Sequence, residues 1–347
     1  MSDHPLLQLT LVRYREFIRE PEAVFWVFVF PILLAAGLGI AFQRRPQDVI
    51  RIGVVAGAPG TDSIARALRA DPALAPEVLA DSAGDTALRT GRVALLVSSD
   101  GDGAGVRYRY DDTRPEGRSA RFLVDQAVQR AAGRRDPVAV ADTRVHERGS
   151  RYIDFVIPGL LGMNLMGSGI WGIGYGIVNA RTKKLLKRLV ATPMSRFQYL
   201  LSFLLFRLVL LLIEVLVLLG FGTLVFGVPL RGGLGQLAAI CLLSALAFGG
   251  LGLLVASRAK TIEAASGLMN LVMMPMWVAS GVFFAASNFP KAVQPVIQAL
   301  PLTAVNDALR ANMLQGAGWS MILPELGIIA AWLVLSFGLA LRLFRWR

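Results

Sequence analysis

An arginine and a glutamate lie seven residues apart inside one long apolar run of this 347-residue chain. The run is FQYLLSFLLFRLVLLLIEVLVLLG, and the two charges are Arg207 and Glu214. In a helix this spacing puts both side chains on one face, about 10 Å apart along the axis. Each charge costs about 2.5–3.5 kcal/mol near a bilayer centre, so neither should face lipid. The pair is interpreted either as a fixed charge bridge to another helix or subunit, or as a polar contact or gate that changes partners.

A second concentration of charge is the insert NARTKKLLKRLVATPMSR, residues 179–196, which has six basic residues and no acidic one. Wound as a helix, 183–190 has a basic side and a leucine-rich side, and Pro193 ends or turns it. One interpretation is an anchor on anionic lipid. The other is a coupling helix held by a cytoplasmic motor subunit. The basic side consists of Lys183, Lys184, Lys187 and Arg188.

Cysteine and histidine predict no metal or redox chemistry. The chain has one cysteine, Cys241, inside an apolar run, and two histidines, His4 and His146. Neither a disulfide framework nor a Cys/His metal site can be built from them. The stretch GAPGT, residues 57–61, lacks the lysine and spacing of a nucleotide-binding loop and is interpreted as a turn into a helix. The chain is therefore not expected to hydrolyse ATP or to bind a cofactor itself.

Six apolar runs of membrane length hold these residues. A helix needs about 20 mostly apolar residues to cross the hydrocarbon layer, and 54% of this chain is hydrophobic. The first run is too long for the apolar part of a signal peptide and is taken as a retained anchor. The sequence therefore predicts an α-helical membrane protein with six transmembrane helices. These are predicted at 23–42, 152–178, 197–219, 235–257, 262–284 and 321–343.

Between the first two runs lies a polar segment of 109 residues, 43–151, which is long enough for a small folded domain. Short apolar runs, one of them alternating with period two, predict strands, and amphipathic stretches predict helices. Thr61 is the predicted N-cap of the first of these helices. A small α+β domain is expected. The predicted strands are 51–56, 93–97 and 106–110, and the predicted helices are 61–70 and 119–132.

The formal net charge of +12 does not indicate a nucleic-acid partner, because basic residues cluster at the ends of alternate apolar runs. With the N-terminus inside, the short cytoplasmic segments hold 14 basic residues and the short outer segments hold 3. Both termini are therefore predicted in the cytoplasm, with the 43–151 domain outside. Arginine outnumbers lysine 31 to 5, which is typical of a GC-rich bacterial genome, so the predicted location is a bacterial cytoplasmic (inner) membrane.

The N-terminal segment 1–22 is predicted to form an amphipathic helix along the inner membrane surface. Leu7, Leu11, Tyr14 and Ile18 share one stripe at helical spacing, away from the neighbouring arginines. An ordinary packed N-terminal helix is the alternative.

The second run is rich in glycine, and Gly172 and Gly176 form a small-xxx-small pair that allows helices to approach closely. Packing within one subunit and a role in a dimer interface both remain open.

Three blocks of the chain resemble ABC transporter type-2 permease proteins. RTKKLLKRLVATPMSRFQYLLS, residues 181–202, resembles their cytoplasmic loop, in which a short helix leads into a Thr-Pro dipeptide. REPEAVFWVFVFPILL, residues 19–34, resembles their first span, and residues 274–316 resemble their signature after the fifth span. The matching residues of that signature are Ser280-Gly281, Phe289-Pro290, Pro301-Leu302-Thr303, Arg310 and Gly316.

The resemblance implies one half of a transporter. Two copies, or one copy and a sister permease, would pair, and separate ATP-binding cassette subunits would carry ATP and Mg. The coupling residues implied in loop 179–196 are Arg181, Lys183, Lys184, Lys187, Arg188, Thr192 and Pro193. Segment 285–320 has too few consecutive apolar residues to span the membrane, so it is expected to form short helices at the outer face, partly re-entrant. The implied outer gate consists of Ser280, Gly281, Pro290, Pro301 and Arg310.

The expected function is therefore that of the permease subunit of an ABC exporter, moving a drug-like molecule, a lipid or a glycolipid outward. This cargo class comes from the resemblance and not from the residues. Membrane lipids and an envelope protein bound by the outer domain are further expected partners. The alternative is a membrane sensor whose outer domain binds a ligand and signals through the spans.

Overall fold

A computed structural model describes residues 5–42, 49–100, 105–135, 138, 149–183, 196–259 and 261–343. The chain divides into two compact units. One comprises Gln43–Arg144, and the other comprises Met1–Phe42 together with Val145–Arg347. Each unit is described by itself.

The described part of the smaller unit is a four-stranded sheet with three helices, so the predicted small α+β domain is confirmed. The strand order is β2-β1-β3-β4. β1 runs parallel to both β2 and β3, whereas β4 runs antiparallel to β3. The strands are β1 Ile50–Val55, β2 Leu74–Leu79, β3 Leu95–Ser99 and β4 Val106–Tyr110, and the helices are α2 Thr61–Arg69, α3 Asp81–Arg89 and α4 Pro115–Ala131.

The core of this unit lies between the sheet and helices α2 and α4. Ile52 and Leu95 on the sheet are fully buried against Leu68 of α2 and Val124 of α4. A smaller apolar cluster includes Ala87, which belongs to α3. The central strands β1 and β3 are buried in continuous runs and do not alternate, as in sheets whose two faces are both covered by helices.

β2 and α3 of this unit were not predicted, and one predicted cap is wrong. β2 contains Pro76 and occupies an edge of the sheet, where proline is tolerated because one side of the strand needs no donor. Gly60, in a left-handed conformation with φ of 89°, takes the N-cap position that Thr61 was expected to hold. The Thr61 hydroxyl lies 2.7 Å from Ala58 O and 3.1 Å from Val55 O, and so bonds backward to the turn.

In the larger unit, six described helices are long and apolar enough to cross a membrane, which confirms the predicted number of spans. Helix α1, Pro5–Ile18, precedes them and packs along the helix that contains span 3. The spans are span 1 Pro21–Ala41, span 2 Tyr152–Thr182, span 3 Leu205–Phe226 within the helix Arg196–Phe226, span 4 Leu234–Arg258, span 5 Ile262–Ala279 and span 6 Trp319–Leu343.

Span 2 lies at the centre of this unit, and its first part, residues 153–170, is buried almost without interruption. It packs against spans 1, 3, 4 and 5. Glycines make the closest of these contacts possible: a Cβ on Gly252 of span 4 would lie 2.6 Å from the backbone oxygen of Ile170. Spans 1 and 6, by contrast, are mostly exposed along their most apolar stretches and lie at the periphery.

Span 1 is irregular near its middle. A π-helical turn, Phe25–Val29, interrupts the α-helix, and Pro31 is the second residue after it. Proline has no N–H and cannot donate to the carbonyl four residues earlier. Pro31 therefore accounts for the break, although its π geometry was not predicted.

Between spans 5 and 6 the chain forms short helices that do not lie on the surface throughout. They are a 3₁₀ turn Ala286–Asn288, α5 Gln294–Gln298, α6 Pro301–Arg310 and a π turn Ala311–Gln315. α6 packs against spans 2 and 6, and eight of its ten residues are buried. This segment was expected at the outer face and partly re-entrant, and the burial of α6 fits a segment that folds back into the bundle.

Candidate functional site

The charged pair of span 3 is buried and closed within its own helix. Arg207 and Glu214 are 6% and 1% exposed. Arg207 Nη1 donates to Glu214 Oε1 at 2.9 Å, so the long guanidinium side chain bridges two helical turns. Burying a charge is tolerated when it is paired and hydrogen-bonded. The two charges therefore pair within span 3. A charge bridge to another helix, which was one of the expected arrangements, is not needed to neutralise them.

Ser168 of span 2 joins this pair, and we call Ser168, Arg207 and Glu214 the charge cluster. Arg207 Nη2 donates to Ser168 Oγ at 2.7 Å, and Ser168 Oγ lies 2.9 Å from Glu214 Oε2. The same hydroxyl lies 2.7 Å from the backbone oxygen of Asn164. A hydroxyl has one proton, so Ser168 donates to one of these two acceptors at a time. Among the described atoms, Arg207 Nε has no hydrogen-bond partner.

Of the predicted outer-gate residues, Arg310 makes the most contacts. Its guanidinium donates to the backbone oxygens of Phe155, at 3.3 and 3.4 Å, and of Gly281. It also lies 3.7 Å above the Phe155 ring, which is a cation–π distance. Asp307 Oδ1, three residues earlier in α6, is 3.6 Å from Nη1 and forms an ion pair with Arg310. Burial lowers the pKa of Arg310 to about 10, against the opposing effect of Asp307.

Ser280 and Gly281 lie beside this arginine at the end of span 5. Ser280 is buried, and its backbone oxygen accepts a hydrogen bond from Asn306 Nδ2 at 2.8 Å. Gly281 has φ of 71°, a left-handed conformation that favours glycine. Pro301 begins α6 at a position where its missing N–H costs nothing, whereas Pro290 is exposed and outside this cluster. The structure thus brings together three of the five predicted gate residues, namely Ser280, Gly281 and Arg310.

Two glycines of span 2 make room for this segment. A Cβ on Gly159 would lie 2.6 Å from the backbone oxygen of Val282, and a Cβ on Gly162 would clash with Asn306. Neither glycine nor Asn306 was singled out from the sequence. Their signal was the glycine-rich composition of span 2, which does not say which glycine meets which partner.

Most of the predicted coupling residues lie outside the described residues, including Lys184, Lys187, Arg188, Thr192 and Pro193. Of the others, Lys183 is exposed at the end of the span 2 helix. Arg181 Nη1 donates to the backbone oxygens of Ala256 and Ala259, each at 3.1 Å. Arg181 therefore caps the carbonyls at the end of span 4, as basic residues do at helix C-termini.

Spans 2 and 5 carry polar residues on their exposed faces. Tyr175 of span 2 and Asn270, near the midpoint of span 5, are both exposed, and neither makes a hydrogen bond to the rest of the described chain. They flank the contact between Gly174 and Met269, which joins the two spans. The exposed side chains of span 3 are all apolar, whereas span 5 exposes Asn270 among apolar side chains. The exposed apolar side chains include Leu268, Leu271 and Met274 on span 5, and Leu205, Val209, Leu212, Leu216 and Leu224 on span 3.

Gly172 belongs to the same exposed face of span 2. A Cβ at this position would meet nothing within 4 Å. The described chain therefore does not pack against Gly172, and its contacts do not support the first alternative for this glycine, packing within one subunit. Gly267 of span 5 is likewise exposed, with nothing within 4 Å of its Cβ position. We call the exposed residues Tyr175 and Asn270, together with Gly172 and Gly267, the polar strip.

An apolar groove of about 340 Å³ lies between α1, span 1 and span 3. Phe17 of α1 contributes to its wall and stacks against Phe28 and Phe206 at ring distances of 6.2 and 5.9 Å. Leu7, Leu11 and Ile18 of α1 are exposed, so the predicted apolar stripe is not covered by the described chain. In a membrane, this exposed apolar face and groove are suited to contact with lipid chains.

The sheet unit contains ion pairs but no described group of three or more potential metal ligands. Arg109 pairs with Asp85 at 2.8 Å and with Asp81, tying β4 to α3. Tyr108 donates to Asp125 at 3.2 Å, and burial together with this carboxylate raises the pKa of Tyr108 to about 12. These contacts hold the sheet and helices together and show no reactive arrangement.

Comparison with known proteins supplies the context for this geometry. The model of a family described as "ABC-2 family transporter protein" matches residues 22–342. A protein of Dictyostelium discoideum, ABC transporter G family member 20, is 27% identical over 190 residues. That alignment covers 53% of this chain and 26% of the Dictyostelium protein, so the chain spans about a quarter of that relative's length.

Proposed function

The chain belongs to the ABC-2 family of transporter proteins, and on that premise we propose that it is the permease subunit of an ATP-binding-cassette exporter. ATP and Mg²⁺ belong to a separate cassette subunit, and this chain binds no cofactor and no nucleic acid. The cargo is a hydrophobic or amphipathic molecule that moves outward, such as a drug-like compound, a lipid or a glycolipid. The name of the Dictyostelium relative, an ABC transporter, is consistent with this assignment.

The observation that carries the proposal is the polar strip on spans 2 and 5. An exposed amide near the midpoint of a membrane helix is unfavourable against lipid, because hydrocarbon offers it no hydrogen bond. The exposed face of span 3, which has only apolar side chains among its described residues, is suited to contact with lipid. A water-filled pathway between two permease copies, or between this chain and a sister permease, gives the polar strip a suitable environment.

The orientation rests on the distribution of basic residues. With 14 basic residues in the short segments on one side and 3 on the other, the termini and the basic insert face the cytoplasm of a bacterial cell. The sheet unit then faces outward, where it is available to an envelope partner. Helix α1, with its exposed apolar stripe, lies at the inner surface in contact with membrane lipids.

Coupling to the cassette subunit is assigned to the basic insert. Span 2 runs directly into it, and Arg181 ties that end of span 2 to the end of span 4. A push on the insert would therefore reach two spans at once. This arrangement supports the assignment of the insert as the site at which the motor subunit acts.

Replacing Lys183, Lys184, Lys187 and Arg188 together by alanine is expected to weaken binding of the cassette subunit roughly tenfold or more. Exposed ion pairs contribute about 0.2–1 kcal/mol each, so losing four is a large change. The measurement is purification of the tagged chain from native membranes, with the bound cassette subunit quantified by mass spectrometry and by cargo-stimulated ATPase activity.

The matched control removes four exposed basic residues from the sheet unit. Both variants lose four positive charges, but the control should leave cassette binding and ATPase activity unchanged. Equal losses in both would indicate a non-specific charge effect. Repeated isolation of the stable protein without a cassette subunit would support the sensor alternative instead. The control positions are Arg66, Arg69, Arg89 and Arg118.

A second prediction tests the polar strip by cysteine labelling in a Cys241→Ala background. Asn270→Cys and Tyr175→Cys should react with a membrane-impermeant maleimide several-fold faster than Leu212→Cys and Leu216→Cys, because thiolates form in contact with water and not in lipid. Cargo should slow the first pair and leave the second pair unchanged. Equal rates at all four positions would contradict a water-filled pathway at this face.

A further inference from the structure

The break in span 1 leaves a backbone carbonyl without its ordinary partner. In an α-helix the oxygen of Val27 accepts from the N–H of residue 31, but residue 31 is proline and has no N–H. The π turn Phe25–Val29 lies at this position, and Pro31 itself is buried. Turns of this kind are frequent at functional positions.

Asn164 of span 2 supplies the missing donor. Its Nδ2 donates to the oxygen of Val27 at 3.2 Å, and the residue is 8% exposed. The bond joins residues 137 positions apart in the chain. A buried carbonyl without a partner is costly, so an amide at this position has a clear physical use.

The same turn of span 2 also reaches the charge cluster. Ser168 follows Asn164 by one helical turn, and its hydroxyl lies 2.7 Å from the backbone oxygen of Asn164. That hydroxyl accepts from Arg207 and lies beside Glu214. Two residues one turn apart on the same face of span 2 therefore contact the break of span 1 and the ion pair of span 3.

We infer that Asn164 is a positioning residue, whose side-chain amide replaces the missing N–H of Pro31 and holds the break of span 1 next to the charge cluster. Span 1 then follows span 2 when span 2 moves. The inference concerns hydrogen bonds within the chain and requires no assumption about cargo or direction of transport.

A double-mutant cycle between Asn164 and Pro31 tests this role. Asn164→Leu keeps the volume but removes the amide that donates to the Val27 oxygen, and should lower the melting temperature of the purified protein by about 3 °C or more. Pro31→Ala restores an N–H at position 31, which can take over the bond. The double variant should therefore lose clearly less than the two single variants added together.

The control cycle combines Pro31→Ala with Asn306→Leu. Asn306 is also a buried asparagine that donates to a backbone oxygen, that of Ser280, at 2.8 Å. No proline N–H is missing there, so the two effects should add. If Asn164→Leu does not accumulate in cells, recovery of its expression by Pro31→Ala supports the inference, and failure in both backgrounds overturns it.

A spectroscopic readout separates positioning from general stability. Spin labels at Leu33→Cys on span 1 and Leu216→Cys on span 3, both exposed positions, report the distance between these spans in a Cys241→Ala protein. Asn164→Leu should broaden the distance distribution, whereas Asn306→Leu should leave its width unchanged. Additive effects in the Asn164–Pro31 cycle, or an unchanged width in Asn164→Leu, would overturn the inference. Neither result depends on the transport assignment.

Discussion

Replacing Arg207 by methionine alone is expected to cost about 3–5 kcal/mol of stability, because Glu214 is then left as an unpaired charge with 1% of its surface exposed. Glu214→Leu alone should be similarly damaging, since it leaves the guanidinium of Arg207 buried beside Ser168 without its carboxylate. The measurement is thermal unfolding of the purified protein in mild detergent, monitored through the loss of monodispersity.

The double variant Arg207→Met/Glu214→Leu should recover most of that loss. Apolar side chains of similar volume remove both charges at once, and replacements of this kind are often neutral or stabilising. Ser168 keeps an acceptor in the double variant, because its hydroxyl can donate to the Asn164 backbone oxygen at 2.7 Å. A double variant as unstable as either single variant would contradict the view that the two charges stabilise each other.

Transport by the double variant then separates the two interpretations of the pair. If stability and cargo export are both retained, Arg207 and Glu214 form a fixed bridge that another packing can replace. If stability returns and export does not, the charges have a role in the pathway or as a gate. Stability and export must be measured on the same preparation, since an unfolded permease also fails to transport.

The membrane spans were predictable because each requires an apolar run of about 20 residues, and no soluble element of the chain has such a run. The spacing of Arg207 and Glu214 likewise predicted a shared face, and the two side chains are in contact. Ser168 and Asn164 could not be identified in this way. A serine and an asparagine in a glycine-rich span have no spacing that reveals their partners on spans 1 and 3.

The burial of α6 also lay beyond the reach of periodicity. Ten residues are too few to cross a membrane, so the amphipathic segment around Pro301 was assigned to the outer face. Its burial follows from contacts that no local pattern contains, namely Gly162 against Asn306 and Arg310 on the Phe155 ring. The three-residue spacing of Asp307 and Arg310 in the sequence is compatible with their ion pair, whereas it contains no sign of the closer contacts of Arg310 with Phe155 and Gly281.

In the sheet unit, the strands found from the sequence are those with continuous or alternating apolar residues. β2, with the sequence LAPEVL, has a proline and a glutamate in its middle and is paired on one side only. An edge strand can accept both residues because its outer face and outer edge meet solvent. Tertiary pairing with β1, rather than local propensity, therefore makes this segment a strand.

Gly252→Ala is expected to destabilise the protein by about 1–3 kcal/mol, although alanine is the better helix former by about 1 kcal/mol. The added Cβ would lie 2.6 Å from the oxygen of Ile170, 3.0 Å from its Cα and 3.2 Å from the oxygen of Gly169. All three atoms belong to the backbone of span 2. No side chain can rotate away, so the substitution must push spans 2 and 4 apart.

Gly338→Ala in span 6 is the matched control, because a Cβ there meets nothing within 4 Å. It should leave stability unchanged or raise it by up to about 1 kcal/mol through helix propensity alone. Thermal unfolding of both variants in one detergent gives the comparison. Similar melting temperatures for Gly252→Ala and Gly338→Ala would show that the backbones of spans 2 and 4 are not in direct contact. Opposite shifts would place the close helix crossing of the glycine-rich span 2 within one subunit, at Gly169 and Ile170, and leave its exposed Gly172 face free for a second copy.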